Sequence, residues 1–203
     1  MKKALYILFV LIVSCSNLKS TQTGDLQLEI LESAVNDNTN IDAQILNKTK
    51  KDYYLLLDTA SFHHKLNFYE EKSLLYSMGI NMYDENNNYI PQALKDNCEN
   101  VTTNEKKKFT TRDILKIRQG QTIKIKIPFK IRYIVNEYCQ IGYQTELMKK
   151  GTKYYLQLIS YEPNEYVKTL LSNEVKDSLK NLNYELYDRT ILSNKVRLNF
   201  DIK

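Results

Sequence analysis

The sequence predicts a mainly β protein, a sandwich of short strands with a helical insertion before the last strand. Three observations predict it. Apolar and polar residues alternate with period two in several separate runs, turn-forming clusters recur at roughly 8–12-residue spacing, and helical spacing is sparse. The composition suits such a fold. A chain of 203 residues, 42% hydrophobic and 26% charged, can bury one domain-sized core and is not a disordered tail. With 5 Gly and 3 Pro it is not collagen-like, linker-rich or built on glycine loops.

The strands follow in order. Leu26, Leu28 and Ile30 alternate with Gln27 and Glu29. Ile41, Ala43 and Ile45 alternate with Asp42 and Gln44, then the polar stretch Asn47 to Asp52 leads into the apolar run Tyr53 to Leu57, which predicts a hairpin. A second hairpin is predicted from Ile80–Tyr83, the turn Asp84 to Asn88, and Tyr89-Ile90. The clearest strand is Ile123, Ile125, Ile127, Phe129 and Ile131, interleaved with Lys124, Lys126 and Lys130. Tyr154 to Tyr161 follows a Lys149-Lys150-Gly151 turn, and Val196, Leu198, Phe200 and Ile202 make a C-terminal strand.

Two stretches interrupt the β pattern. Phe68 to Met78 predicts a short helix. Glu165 to Leu186 places Val167, Leu170, Leu171, Val175, Leu179 and Leu182 at near-helical spacing, which predicts one amphipathic helix packed on a sheet face.

The segment Leu115 to Thr122 leading into Ile123–Phe129 resembles the strand-turn-strand of immunoglobulin-like bacterial modules, as does Ile45–Thr49 leading into Tyr53–Leu55. The resemblance covers about a third of the chain and implies an immunoglobulin-like β-sandwich. There is no Trp, so the buried Trp of antibody-type domains is absent.

At the N-terminus Lys2 and Lys3 precede an uninterrupted apolar run from Ala4 to Val13. Ten helical residues span about 15 Å, half of a bilayer core, which fits a signal-peptide h-region and not a transmembrane helix. The run ends in Ile12-Val13-Ser14-Cys15, which resembles the lipobox of bacterial lipoproteins. That resemblance implies a diacylglycerol thioether on Cys15, cleavage between Ser14 and Cys15, and acylation of the new amino group. Two or three acyl chains on one residue anchor stably, whereas a single chain holds only marginally. Ser16, where the lipoprotein pattern uses Asp for inner-membrane retention, implies the outer membrane. The absence of acidic residues before Asp25 favours the periplasmic leaflet, with surface display still open. The chain then divides into a signal peptide over 1–15, a polar flexible tether over 16–24 and a β-sandwich domain over 25–203.

With Cys15 lipidated, Cys98 and Cys139 remain, an even pair for an oxidising compartment. A bridge would close about forty residues and contribute about 3–4 kcal/mol; two separate thiols are the other arrangement.

Catalytic and metal signals are sparse. His63 and His64 are the only histidines, and in a strand they would point to opposite faces. A metal site would need both in a loop with Asp58, Glu70 or Glu71 folding back. Glu70-Glu71 as an acid/base pair is the weaker pattern, since adjacent carboxylates usually lie side by side in solvent. No Gly-x-Ser-x-Gly, P-loop, dinucleotide fingerprint or Cys-x-x-Cys occurs. The expectation is no enzyme, no cofactor and no metal.

The sixteen Tyr lie mostly in or beside strands, where they supply apolar area with a polar tip for sheets and for recognition surfaces alike. The formal charge of +5 falls to +3 without Lys2 and Lys3 (27 basic against 24 acidic), and Lys106-Lys107-Lys108 is the one run of three. Nucleic acid is therefore not the expected partner. The expected function is a lipid-anchored envelope protein presenting a β-sandwich surface to a protein or glycan. The alternative is an inhibitor or immunity protein against a toxin or protease.

Overall fold

The computed structural model describes residues 25–57, 78–95, 114–136, 139–163, 165–169 and 171–200. These residues form a mainly β structure in which two sheets enclose one core.

The first sheet holds β1 (Leu26–Ile30), β3 (Thr39–Asn47) and β9 (Thr122–Phe129), antiparallel in the order β1-β3-β9. The second has the order β2-β15-β12-β5-β6, from β2 (Ala34–Asn36), β15 (Val196–Asn199), β12 (Tyr154–Ser160), β5 (Gly79–Asp84) and β6 (Tyr89–Ile90). β2 continues from β1 but crosses to the second sheet, where it runs parallel to β15. With β1, β3 and β9 as first, second and fifth strands facing β5, β12 and β15 as third, sixth and seventh, the order is that of an immunoglobulin-like sandwich. A further mark of that fold stands at the start of β12. The Tyr154 hydroxyl accepts a hydrogen bond from Lys149 N at 2.6 Å, a tyrosine corner reaching five residues back.

Period-two alternation decides which side chains enter the core. Ile41, Ala43 and Ile45 of β3, Ile125, Ile127 and Phe129 of β9, Ile80 and Met82 of β5, and Leu156 and Leu158 of β12 are buried together. Aliphatic side chains thus do the work of the Trp and disulfide of antibody domains. Tyr143, in β11 (Cys139–Tyr143), is buried with them and donates from its hydroxyl to Ile80 O at 2.6 Å.

Two small sheets flank the sandwich. One joins β7 (Gln92–Lys95), β10 (Arg132–Asn136) and β11; the other has the order β13-β4-β8, from β13 (Tyr184–Leu186), β4 (Asp52–Leu56) and β8 (Ile114–Ile117). β14 (Ile191–Leu192) pairs with the end of β12.

The second of these sheets corrects an expectation. Residues 39–47 and 52–56 are both strands, but they do not pair as a hairpin. β3 stays between β1 and β9, while β4 pairs with β8 and, in parallel, β13. The chain changes sheets at this corner, and so does the β8–β9 connection. The physical reason is Asn47, which is fully buried at the crossing. Its Nδ2 donates to Lys51 O at 2.7 Å and Ile117 O at 3.4 Å, and its Oδ1 accepts from Thr49 N at 3.0 Å and Thr49 Oγ1 at 2.7 Å. Its own backbone N donates to Gln121 O, and Gly120 N donates to its carbonyl. Gly120 takes φ +68°, which the tight turn requires.

The helix over 165–186 is a second correction. It is broken into α1 (Glu165–Thr169) and α2 (Asn173–Asn181), and 184–186 is strand β13. Ser172 caps the second piece, its hydroxyl accepting from Val175 N at 3.3 Å. Asn183 at φ +58° turns the chain out of α2, and Tyr184–Leu186 find a better partner in the β4 backbone. The expected packing on a sheet face holds, because Leu171 and Leu179 bury against Tyr54, Leu56 and Ile114. The 84–88 hairpin forms as expected. Asp84 accepts from Asn86 N, Asn88 N and Asn88 Nδ2, each at 2.8 Å, and Met82 and Tyr83 pair with Ile90 and Tyr89. Of the helix expected over Phe68 to Met78, all but Met78 lies outside the described residues, as do 201–203 of the C-terminal strand.

Replacing Asn47 by Ala leaves buried carbonyl and amide groups without partners. Asn47→Ala is expected to cost about 3 kcal/mol in urea unfolding, whereas Asn199→Ala, on the exposed side of β15, stays within about 0.5 kcal/mol.

Candidate binding surface

The residues singled out for chemistry fall largely outside the described part of the chain. Ser14, Cys15, Asp58, His63, His64, Glu70, Glu71 and Cys98 all lie there, as do Lys106 to Lys108. Cys139 opens β11, where its backbone pairs with Asn136 of β10. Among the described residues no group of three or more His, Cys, Asp or Glu is placed to hold a metal ion, and no helix is long and apolar enough to cross a membrane.

What the fold does assemble is a tyrosine-rich face on the outer side of the second sheet. Because Tyr154, Leu156 and Leu158 of β12 enter the core, Tyr155 and Gln157 face out. By the same alternation Asn81 and Tyr83 face out from β5, and Arg197 from β15. Register sets them side by side. Tyr155 lies opposite both Tyr83 and Arg197, and Gln157 lies opposite Asn81. β6 adds Tyr89 opposite Tyr83, their rings 5.9 Å apart edge to face.

The neighbours hold this face in place. Asn81 Nδ2 donates to the Tyr83 hydroxyl at 3.3 Å. Lys195 Nζ stands 3.9 Å from the Tyr83 ring centre, a cation–π contact, and donates to Asn87 Oδ1 at 2.8 Å. Tyr161 sits beside Gly79, where a Cβ would come within 2.9 Å of its Cε2 and 2.7 Å of Ile159 Cγ2. Only glycine leaves room for both side chains. Tyr89 is 51% exposed and Tyr161 39%, so two rings of the face reach solvent with much of their area.

Burial pushes the Tyr89 phenol above its ordinary value of 10.0, helped by Tyr161 and Tyr83, and burial with Tyr83 does the same to Tyr161. Both stay neutral at physiological pH and keep their O–H donors. The face therefore offers flat apolar rings with donor-acceptor tips beside the cations Lys195 and Arg197. Such groups bind, orient and exclude water.

The sequence marked these tyrosines as strand residues without joining them. The missing information was register, which brings Tyr83, Tyr89 and Tyr155 together from three strands. Lys195, Arg197 and Gly79 were not singled out. The alternation within 154–160 and 196–199 was the available signal, since it assigns Tyr155 and Arg197 to the side opposite the core.

Tyr54 and Tyr187 are likewise raised by burial. A neutral phenol favoured by the fold stabilises it fully below the unfolded value of 10.0, and that contribution is lost as pH rises through the higher folded values. Stability measured by denaturant should stay free of tyrosine titration from neutral pH to about 10 and then fall, and the fall should be smaller in Tyr161→Phe.

No protein-family model, no curated protein and no solved structure matches this chain, so the fold and this surface stand on the chain's own residues.

Proposed function

We propose that the protein is a non-enzymatic, lipid-anchored component of the bacterial cell envelope whose β-sandwich presents the tyrosine-rich sheet face to a protein or a glycan. The observation that carries the binding reading is the in-register set Tyr83, Tyr89 and Tyr155 beside Lys195 and Arg197 on one side of one sheet. Tyrosine and arginine are the residue types that dominate recognition surfaces, because rigid rings bury much area at small entropic cost. Neutral phenols, amides and cations suit recognition of a ligand surface and lack an activated nucleophile. The anchor reading is supported by Lys2-Lys3, the apolar run from Ala4 to Val13 and the Ile12-Val13-Ser14-Cys15 pattern, followed by a polar tether.

Two experiments test the two halves. A fatty-acid probe should label the wild-type protein in bacterial cells and fail to label Cys15→Ala; persistent labelling overturns the anchor. For the surface, wild-type protein and a Tyr89→Ala/Tyr155→Ala variant are used to capture partners from solubilised envelopes and to probe a glycan array. A ligand retained by the wild type should bind the variant at least tenfold more weakly, about 1.4 kcal/mol or more. Equal binding removes the face from the function. A single stoichiometric toxin or protease among the captured proteins would favour inhibition over envelope assembly.

A further inference from the structure

We infer that the tyrosine-rich face binds a polysaccharide whose sugars carry carboxylates. This choice of ligand rests on the proposed binding role of the face. Two neighbouring rows of outward side chains support it, each running across the strands. Pairing register builds the first from Tyr89, Tyr83, Tyr155 and Arg197, on β6, β5, β12 and β15 in turn. Three strand spacings separate its ends, about 14 Å, the length of a short oligosaccharide. The second row sets Asn81 opposite Gln157.

Each row suits a different part of a sugar. The side of a sugar ring that carries C–H bonds is apolar and slightly positive at hydrogen, so it stacks on the negative face of a phenol ring. The exposed Tyr89 offers such a ring. Sugar hydroxyls then need partners beside it. Gln157 spends its amide nitrogen on Ser193 O at 2.7 Å, and Asn81 spends its own on the Tyr83 hydroxyl. Gln157 Oε1 and Asn81 Oδ1 accept no hydrogen bond from the described residues and are open to solvent, which leaves both to receive hydroxyl donors. A protein partner would draw most of its affinity from a dry apolar centre. Here amides hold the middle of the sheet, and the exposed Tyr89 stands at its margin on β6.

Charge selects an acidic sugar. Arg197 is exposed, Lys195 stands on the Tyr83 ring, and neither pairs with a carboxylate among the described residues. Within β2, β5, β6, β12 and β15 the one carboxylate is Asp84. It shares the parity of Ile80 and Met82, away from the face, and accepts from Asn86 N, Asn88 N and Asn88 Nδ2. Glu85, exposed on the hairpin turn, is the opposing charge. The register that sets Tyr154 opposite Asp84 brings Lys153 to that same margin. A guanidinium holds a carboxylate through two parallel N–H bonds, a fit that an ester or a hydroxyl does not reproduce.

The test measures the affinity of the full chain, held in detergent, for polygalacturonate, alginate and hyaluronan, and for the methyl ester of each, which keeps the rings and loses the charge. The expected result is binding to at least one acid, with its ester about tenfold weaker or more. Arg197→Gln should weaken acid binding about tenfold and leave the ester unchanged, while Tyr89→Ala should weaken both. Lys150→Gln, exposed and off these strands, should change neither. Binding to none of the acids, equal binding to acid and ester, or a loss in Lys150→Gln matching that in Arg197→Gln overturns the inference. Acid binding unchanged in both Arg197→Gln and Tyr89→Ala puts the sugar elsewhere and overturns it too. A protein captured by the wild type and lost in Tyr89→Ala/Tyr155→Ala, with no acid bound, overturns the acidic glycan and keeps the binding role of the face.

Discussion

The structure turns on one buried amide. Asn47 stands where two connections leave the first sheet together, and every polar atom it owns is spent on holding that crossing. A corner buried under two strands would otherwise strand several backbone groups without partners, each costing about 1–3 kcal/mol. With the corner secured, β4 and β8 pair outside the main sheets and form a small sheet with two apolar faces. Tyr53 and Leu55 face the main core, while Tyr54 and Leu56 face α2. The helical layer is thus positioned by the strand that the corner releases.

A second junction does comparable work where the first strand changes sheets. Asn194 substitutes for a neighbouring strand, its Oδ1 accepting from Ile30 N at 2.7 Å and its Nδ2 donating to Ile30 O at 3.1 Å. Beside it the buried Ser193 accepts from Leu158 N at 2.8 Å, closing the gap between β14 and β15. Asparagine serves both junctions because one short side chain carries a donor and an acceptor in the geometry of a peptide group. The two crossings keep the sheets together at their margins, while the aliphatic core holds their centres.

This arrangement separates the surfaces. The outward side of the second sheet carries rings and cations, and the end near Asp25 carries the ion pairs Asp25–Arg189 and Lys51–Glu185. Rigid strands fix the angle between the two, so whatever holds the end of the sandwich also aims its face.

Period-two alternation, turn chemistry and an isolated amphipathic stretch were sufficient to read the mainly β class, most of the long strands and the 84–88 hairpin. These are local properties, decided within a few residues by side-chain direction and by the backbone preferences of Asn, Asp and Gly. The pairings of β3 and β4 and the conversion of 184–186 to a strand were decided only by tertiary structure. Each depends on a partner distant in the chain: β9 for β3, β8 for β4, and the β4 backbone for β13. The run Tyr53 to Leu57 held a clue, since unbroken apolar character marks a strand covered on both faces and not one arm of an exposed hairpin. The tyrosine face has the same origin. Composition supplies sixteen tyrosines, and alternation says which point outward, but only register, a relation between strands far apart in sequence, makes a surface of them.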